Sequence, residues 1–562
     1  MNAVLEEPAR DAGDCCFLPA INPDGFDTIN AVFHDAIRRY GDRPAFSALG
    51  LTLSYKNLER QSRDFAAYLQ SRGLKAGDRI AVQLPNVTQY PVVVFGALRA
   101  GLIVVNTNPL YTAREMLHQF NDSNAKAIVI LANCCDRLAE ILPETGLSTV
   151  IVTEIADMHR PFKRVLINSV VKRVKKLVPP YHLPTAIPFT RVMKQGKGLP
   201  LTEHQPQNQD LAVLQYTGGT TGVAKGAMLT HANLVANMLQ LRAHFGDFLR
   251  AQQEIFIGPL PLYHIYAFTL HCMLLTNTGN HSVLIPNPRD LRGFVKELKK
   301  WRFTGFAGLN TLFVALANDA EFKQLDFTPL RFTASGGMAL TQAGAALWEQ
   351  VTGNQVIEGY GLTETSPGAT FNKPDDIVIG SIGYPLPYTE AKVIDVDGNS
   401  LPSGQAGELC LRGPQVMKGY WQREDETAKV LDADGWFRTG DMAEQSPDGR
   451  LKIVDRKKDM IIVSGFNVYP NEIEDVICTM PGIRECAAIG VPDEKCGEAV
   501  VVYVVAHDEA LDEAAVRTYC RERLTAYKVP RFVHFCDDLP KSNVGKVLRR
   551  ALRTDHQNEA PA

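Results

Sequence analysis

The sequence has no C-x-x-C pair among its 11 cysteines, which are scattered and include the doublets Cys15-Cys16 and Cys134-Cys135. Neither a zinc frame nor a disulfide framework is indicated, and free thiols in a reducing cytoplasm are expected. It has no dominant charge of one sign: the net charge is −3 and the pI is near 6.5. A general nucleic-acid binder carries a strong basic bias, so no nucleic-acid partner is expected. It also lacks a membrane-spanning run. The longest apolar stretch, Pro91 to Val105, is broken by Arg99 and Gly101 and is too short to cross a bilayer. The first thirty residues hold Glu6, Glu7, Asp11 and Asp14 and no apolar segment, so no signal peptide is read there. What is present is a chain of 562 residues, 45% hydrophobic and 22% charged, the composition of a soluble globular protein of two or more domains.

One internal stretch lacks acid altogether. From Arg160 through Pro200 there is no Asp or Glu, against ten Lys and Arg. Phe162, Leu166, Ile167, Val170, Val171, Val174 and Leu177 recur there at roughly helical spacing, and Pro179-Pro180 ends the pattern. A basic amphipathic helix over 160–177 fits peripheral contact with an anionic membrane, at the inner face of the cell membrane. An ordinary helix packed on the domain with a solvated basic face is the blander reading and stands slightly ahead, and the sequence leaves both open.

Elsewhere helix and strand signals alternate. Thr28 caps a helix through Ile37 that Gly41 stops, and a second helix ends at Gly73. Strands are read at Arg79–Leu84 and Ala127–Leu131, and the alternation implies parallel sheets covered by helices. Residues 377–455 turn strand-rich, with Asp397-Gly398, Asp434-Gly435 and Asp448-Gly449 as turn signals. The fold class expected is α/β: a large N-terminal domain (1–458) of helix-covered sheets with a β subdomain at 377–455, and a small, mobile α+β C-terminal domain (459–562).

The chemistry centres on Leu211 to Leu241. An apolar strand, Leu211–Tyr216, runs into Thr217, Gly218, Gly219, Thr220, Thr221 and Gly222, then Lys225, with a helix expected from about Ala232. Glycines let backbone N–H groups turn toward an anion, threonine hydroxyls donate further bonds, and a lysine adds mobile positive charge. That makes a phosphate loop, but not a Walker A loop, in which Lys directly follows Gly and directly precedes Ser or Thr. Here Ala224 and Gly226 flank Lys225.

Further strings follow. Ser335-Gly336-Gly337-Met338 is a glycine turn after an apolar strand, and Glu358-Gly359-Tyr360-Gly361-Leu362-Thr363-Glu364 follows another. Glu364 suits Mg²⁺, which is held by one or two carboxylates plus phosphate oxygens. Asp434-Gly-Trp-Phe-Arg-Thr-Gly-Asp441 and Leu451-Lys-Ile-Val-Asp-Arg456-Lys-Lys458 bring a carboxylate able to accept hydroxyl hydrogen bonds. Pro261-Leu-Tyr-His264-Ile-Tyr-Ala-Phe268, Val463-Ser-Gly465-Phe-Asn-Val-Tyr-Pro470 and Pro540-Lys-Ser-Asn-Val-Gly-Lys546 complete the set.

Taken in chain order, from about Ile29 to Arg553, these strings resemble the adenylate-forming superfamily: acyl-CoA synthetases, luciferases and peptide-synthetase adenylation domains. Asn106-Thr-Asn-Pro-Leu-Tyr111 and Asn287-Pro-Arg-Asp290 are most similar to bacterial long-chain fatty-acid–CoA ligases. The resemblance implies a fatty acid, ATP and CoA as substrates, with Mg²⁺ on Thr217 and Glu364. It implies adenine contacts from Gly336, Gly337, Glu358, Gly359, Tyr360, Gly361 and Thr363, and ribose contacts from Asp441 and Arg456. It makes Lys458 a hinge, places His264 and Phe268 at the acyl site and Gly465 on the pantetheine path, and gives Lys546, Glu364 and Thr217 catalytic roles. The 434–458 string departs from the family pattern at Phe437, Arg438, Ala443 and Gln445. The sequence leaves open a homodimer, a ligase for another carboxylic acid, transfer to a carrier protein, and a non-enzymatic nucleotide- or acyl-chain-binding protein.

Overall fold

Apolar runs without polar alternation form strands buried on both faces, and they sit inside two large, mainly parallel sheets. In the computed structural model, which describes residues 18, 20–217, 224–464, 466–493, 496–508, 510–541 and 547–559, the first of these has seven strands. Its order is Ile187–Pro188, Thr149–Thr153, Ala125–Leu131, Arg79–Gln83, Ile103–Asn106, Leu211–Thr217 and Lys225–Thr230. All neighbours are parallel except the last pair. The second sheet has nine strands, with parallel neighbours from Val356–Gly361 through Phe332–Ser335, Gly305–Gly308, Ile255–Gly258 and His281–Leu284 to Pro44–Ala48. One large core, including Phe33, Phe65, Tyr90, Phe95 and Phe256, runs between the two.

A four-stranded antiparallel sheet follows: Glu390–Ile394, Ala406–Arg412, Phe437–Gln445 and Leu451–Arg456. A last sheet is built on the long hairpin Ile483–Asp493 and Gly497–Ala506, joined by Ile461–Val463, Phe466–Val468 and Phe532–Phe535. The helix Pro470–Cys478 packs on it. The two regions meet around the buried Asp455, whose carboxylate accepts the Asn471 N–H at 2.8 Å. Beside that contact, within residues 459–562, Arg549 pairs with Glu474 at 2.8 Å and Arg553 with Asp459 at 3.0 Å.

The helix expected from about Ala232 is present as His231–Phe245. The sequence did not show that Lys225–Thr230, between it and the glycine–threonine loop, is a strand that turns back on Leu211–Thr217, with Thr217 opposite Lys225. The helix His231–Phe245 begins only after it, with Thr230 accepting the Asn233 N–H at 3.1 Å as its cap. Among the described residues, no helix is long and apolar enough to cross a membrane.

Candidate active site

The loop expected to hold phosphate joins two paired strands, so its ends are fixed by their ladder. Gly218, Gly219, Thr220, Thr221 and Gly222 lie outside the described residues, as do Gly465 and Lys546. Both ends of the loop are clamped from the helix Ala113–Asp122. The Tyr216 hydroxyl donates to Asp122 Oδ2 at 2.6 Å, and Arg423 donates to Asp122 Oδ1 at 3.2 Å. On the far end, His118 Nε2 donates to the Ala224 carbonyl at 2.9 Å.

A strap from far along the chain closes over the hairpin. Tyr420 faces Ala227 in an antiparallel bridge, the Trp421 N–H donates to Gly226 at 2.8 Å, and the Met228 N–H donates to Gly419 at 2.9 Å. The strap brings Tyr420 and Glu426 to Lys225. The ammonium sits 4.8 Å from the Tyr420 ring centre and 2.5 Å from Glu426 Oε2. Lys225 holds the Glu426 carboxyl down at about 2, with help from Lys429. The Tyr420 hydroxyl then donates to Glu364 Oε1 at 2.7 Å. One aromatic side chain thus spans from the loop lysine to the carboxylate expected to hold metal.

Glu364 is buried, and desolvation pushes its pKa up. The Tyr420 hydrogen bond and the Lys225 charge oppose that shift, while the charge on Asp441 reinforces it. A buried carboxylate in this state gains from a divalent cation, which favours its ionised form. Among the described residues no cluster of three or more His, Cys, Asp or Glu could hold a metal alone. The lone buried carboxylate of Glu364 fits Mg²⁺ carried largely by phosphate oxygens.

Asp441 enters from the four-stranded sheet. It is paired in register with Arg456, whose Nε lies 3.6 Å from Oδ1, and it accepts the Tyr360 hydroxyl at 2.6 Å on Oδ2. The sequence string 360–364 and the string 434–456 therefore meet through one short hydrogen bond. Gly359 and Gly361 are required by packing: a Cβ would lie 2.2 Å from the Phe371 ring at one and 1.9 Å from the Pro367 carbonyl oxygen at the other. Thr363 begins the short 3-10 turn that carries Glu364. Gly337 has φ +90, which a side chain disfavours, and a Cβ on Gly336 would touch the Gly359 carbonyl at 3.4 Å. The glycine turn thus lies directly against the strand end at 359–361.

Glu358 is buried, and its carboxylate accepts backbone N–H groups from Leu340 and Gly380, each at 3.2 Å. It braces the segment after the glycine turn. Burial pushes its pKa up to about 7 from an ordinary 4.5. The folded protein therefore holds this proton more tightly than the unfolded chain. Stability falls as pH rises through that window, by about 3 kcal/mol in total. Thermal melts of Glu358→Gln are expected to gain on the natural protein between about pH 5 and about pH 8. A gap that does not move with pH would show that this carboxyl does not titrate in the fold.

His264 caps the short helix Ile265–Ala267, its Nδ1 accepting the Tyr266 N–H at 3.3 Å, and Phe268 is buried at the start of a π-type stretch, Phe268–Leu274. Tyr266, which sequence reasoning passed over, lies beside Gly336. Its buried hydroxyl has no hydrogen-bond partner among the described residues and remains a donor for a bound group. Lys458 follows two residues after Arg456. Burial, then the Arg456 charge, lowers its pKa to about 8.

Sequence reading also missed Tyr420, Glu426, Asp122 and His118. Nothing local marks them; they are found by the cation and acid they must satisfy. Asp122→Ala is expected to raise the KM for ATP roughly tenfold, about 1.4 kcal/mol, by loosening the loop ends. Its kcat at saturating ATP is expected to stay within about threefold. A change confined to kcat would contradict a positioning role.

The residues 33–421 match the model of the AMP-binding enzyme family, and 472–546 match that of the AMP-binding enzyme C-terminal domain. A long-chain-fatty-acid–CoA ligase of Escherichia coli O6:H1 is 52% identical over 537 residues, 95% of this chain and 96% of the relative. A protein of the same description from Bacillus subtilis is 36% identical, covering 93% of this chain and 94% of its own. The crystal structure of ATP-bound MatB from Rhodopseudomonas palustris superposes with a TM-score of 0.78 at 30% identity, covering 94% of this chain and 99% of its own.

Proposed function

The chain belongs to the AMP-binding enzyme family, and from that premise we propose that it ligates long-chain fatty acids to CoA at the expense of ATP. The observation that carries this reading is the 52% identity to a long-chain-fatty-acid–CoA ligase across 95% of the chain. The gathering of Lys225, Glu364, Tyr360, Asp441 and Arg456 supports it.

In the first step a carboxylate oxygen of the acid attacks the α-phosphorus of ATP. The bond to the bridging oxygen of pyrophosphate breaks, and acyl-adenylate forms. Thr217 to Gly222 and Lys225 hold the phosphates, with Lys225 exchanging Glu426 for them. Mg²⁺, held by Glu364 with Thr217, would neutralise phosphate charge. Gly336, Gly337, Glu358, Gly359, Tyr360, Gly361 and Thr363 line the adenine, and Asp441 accepts the ribose hydroxyls beside Arg456. Lys546 stabilises the charge developing at the α-phosphate, so catalysis is positional and electrostatic.

In the second step the CoA sulfur attacks the acyl carbonyl, the bond to AMP breaks, and the thiol proton leaves to solvent. No cysteine nucleophile is required. The reading divides the chain at Lys458, with 459–562 rotating between the two steps and Gly465 lining the pantetheine path. His264 and Phe268 border the acyl group. The activity is cytoplasmic, with peripheral contact at the inner face of the membrane.

The test is pyrophosphate release from ATP and Mg²⁺ across a panel of carboxylic acids, with and without CoA. Release peaking with long fatty acids, with acyl-CoA and AMP formed when CoA is added, is the expected result. A peak with an aromatic or short acid would move the substrate and keep the mechanism. No release with any acid would overturn the reading.

A further inference from the structure

Between residues 160 and 177 two opposite kinds of side chain share one exposed surface. The helix Pro161–Ser169 continues as a π-type turn over Val170–Val174. Ile167, Val170 and Val171 are half-buried, and the rest of its apolar side chains stand in solvent. Phe162 is 81% exposed, Val174 74%, Val165 61%, Leu166 54% and Leu177 53%. Five of the fifteen exposed large hydrophobic side chains among the described residues therefore fall within sixteen positions. Phe162, Val165 and Leu166 are three and four residues apart, so they stand on one helix face.

The segment is also tethered by polar groups. Asn168, the buried residue of the helix, accepts the Ala156 N–H at 3.0 Å and donates to Asp157 at 3.2 Å. Asn133 donates to the Leu177 carbonyl at 2.8 Å. Of the two readings the sequence left open, packing through the apolar stripe is thus excluded for these five residues.

Around them, Lys163, Lys172, Arg173, Lys175 and Lys176 are exposed, and no acid occurs from Arg160 to Pro200. The whole chain is net negative at −3, so this is a local concentration of cations and not a property of the surface at large. A partner that matches both features is negative on its outside and apolar just beneath. An anionic phospholipid bilayer has that construction. A nucleic acid matches the cations alone and would leave Phe162 and its neighbours in water.

We propose that 160–177 is the docking face of this protein for an anionic bilayer, Phe162, Val165 and Leu166 entering the boundary between headgroups and acyl chains while the lysines and Arg173 meet lipid phosphates. It deepens the reading of a peripheral fatty-acid ligase and rests on it for its purpose, since that substrate partitions into bilayers. The contact itself follows from the face.

The full chain is sedimented with vesicles of phosphatidylcholine alone and of phosphatidylcholine with about one-third phosphatidylglycerol. Binding is expected to the second and not to the first. Substituting Lys172, Arg173, Lys175 and Lys176 by Glu together is expected to lower vesicle binding at least about tenfold, and so is Phe162→Ser with Leu166→Ser. Melting temperature and turnover of water-soluble octanoate, measured on the same samples, are expected to stay near those of the natural protein, because none of these residues lies at the site. No sedimentation with anionic vesicles, or unchanged sedimentation of either variant, overturns the proposal. So does loss in the charge variant alone with binding to a polynucleotide, which marks a polyanion surface. Absent turnover with vesicle binding intact overturns the ligase reading and leaves the docking face standing.

Discussion

Glu364→Gln is expected to lower the rate of pyrophosphate release by about 10²–10³, while the protein melts no lower than the natural one. The two halves of this result come from the same geometry. Burial already disfavours the ionised carboxyl, and Asp441 disfavours it further. An amide keeps an oxygen for the Tyr420 hydroxyl, which sits 2.7 Å from Glu364 Oε1. Removing the charge therefore removes a source of stress from the fold and at the same time the anion that would hold Mg²⁺ against ATP. Raising Mg²⁺ is expected to recover part of the loss by mass action, which a purely structural defect would not allow. The measurement is pyrophosphate release against Mg²⁺ concentration, beside a thermal melt. Turnover within about threefold of the natural protein would remove Glu364 from the metal role. A collapse of the melting temperature would make it a structural residue.

That prediction uses residues that the sequence made visible and one it hid. Glycine, threonine and lysine in the order 217–225 announce an anion loop because each supplies a distinct contact to phosphate. The strand that follows was not legible: Lys-Gly-Ala-Met-Leu-Thr has no alternation and a glycine at its second position. Its extended state comes from partners on both sides, Leu211–Thr217 and the strap at Lys418–Trp421. Tertiary pairing of this kind outweighs weak local preference. Tyr420 and Glu426 were hidden for a related reason. They lie about two hundred residues beyond Lys225, and its charge and the strap's pairing with Gly226–Met228 connect them to it.

The parallel sheets could be anticipated from strand–helix alternation, but their strand order could not. Nor could the packing of the four-stranded sheet against them, which brings Asp441 to face Tyr360. For 160–177 the helical period was plain in the sequence, while the direction its apolar stripe faces depends on whether a groove lies beneath it. Asn168 and Asn133 occupy the anchoring role there, and Phe162, Val165 and Leu166 are left to solvent.

Lys546→Ala is expected to separate the two half-reactions. The segment that carries it is framed on both sides. Lys541 faces Val547 in an antiparallel bridge and is held by Glu485 at 2.7 Å and Asp538 at 2.9 Å. Lys546 itself lies outside the described residues, so its role rests on the string Lys-Ser-Asn-Val-Gly-Lys and on the charge that adenylation must stabilise. When the carboxylate attacks the α-phosphorus, negative charge grows on the phosphate and on departing pyrophosphate. An ammonium brought there lowers that barrier, and its loss is expected to slow acyl-adenylate formation by about 10²–10³. The second step expels AMP from a carbonyl and builds no comparable charge at phosphorus. Supplied with preformed acyl-adenylate and CoA, the variant is therefore expected to make acyl-CoA within about threefold of the natural rate. Equal losses in both steps would place Lys546 in domain closure rather than at the phosphate. No loss in either step would remove it from catalysis, and the charge compensation would fall to Lys225, whose exchange of Glu426 for phosphate would then have to supply it.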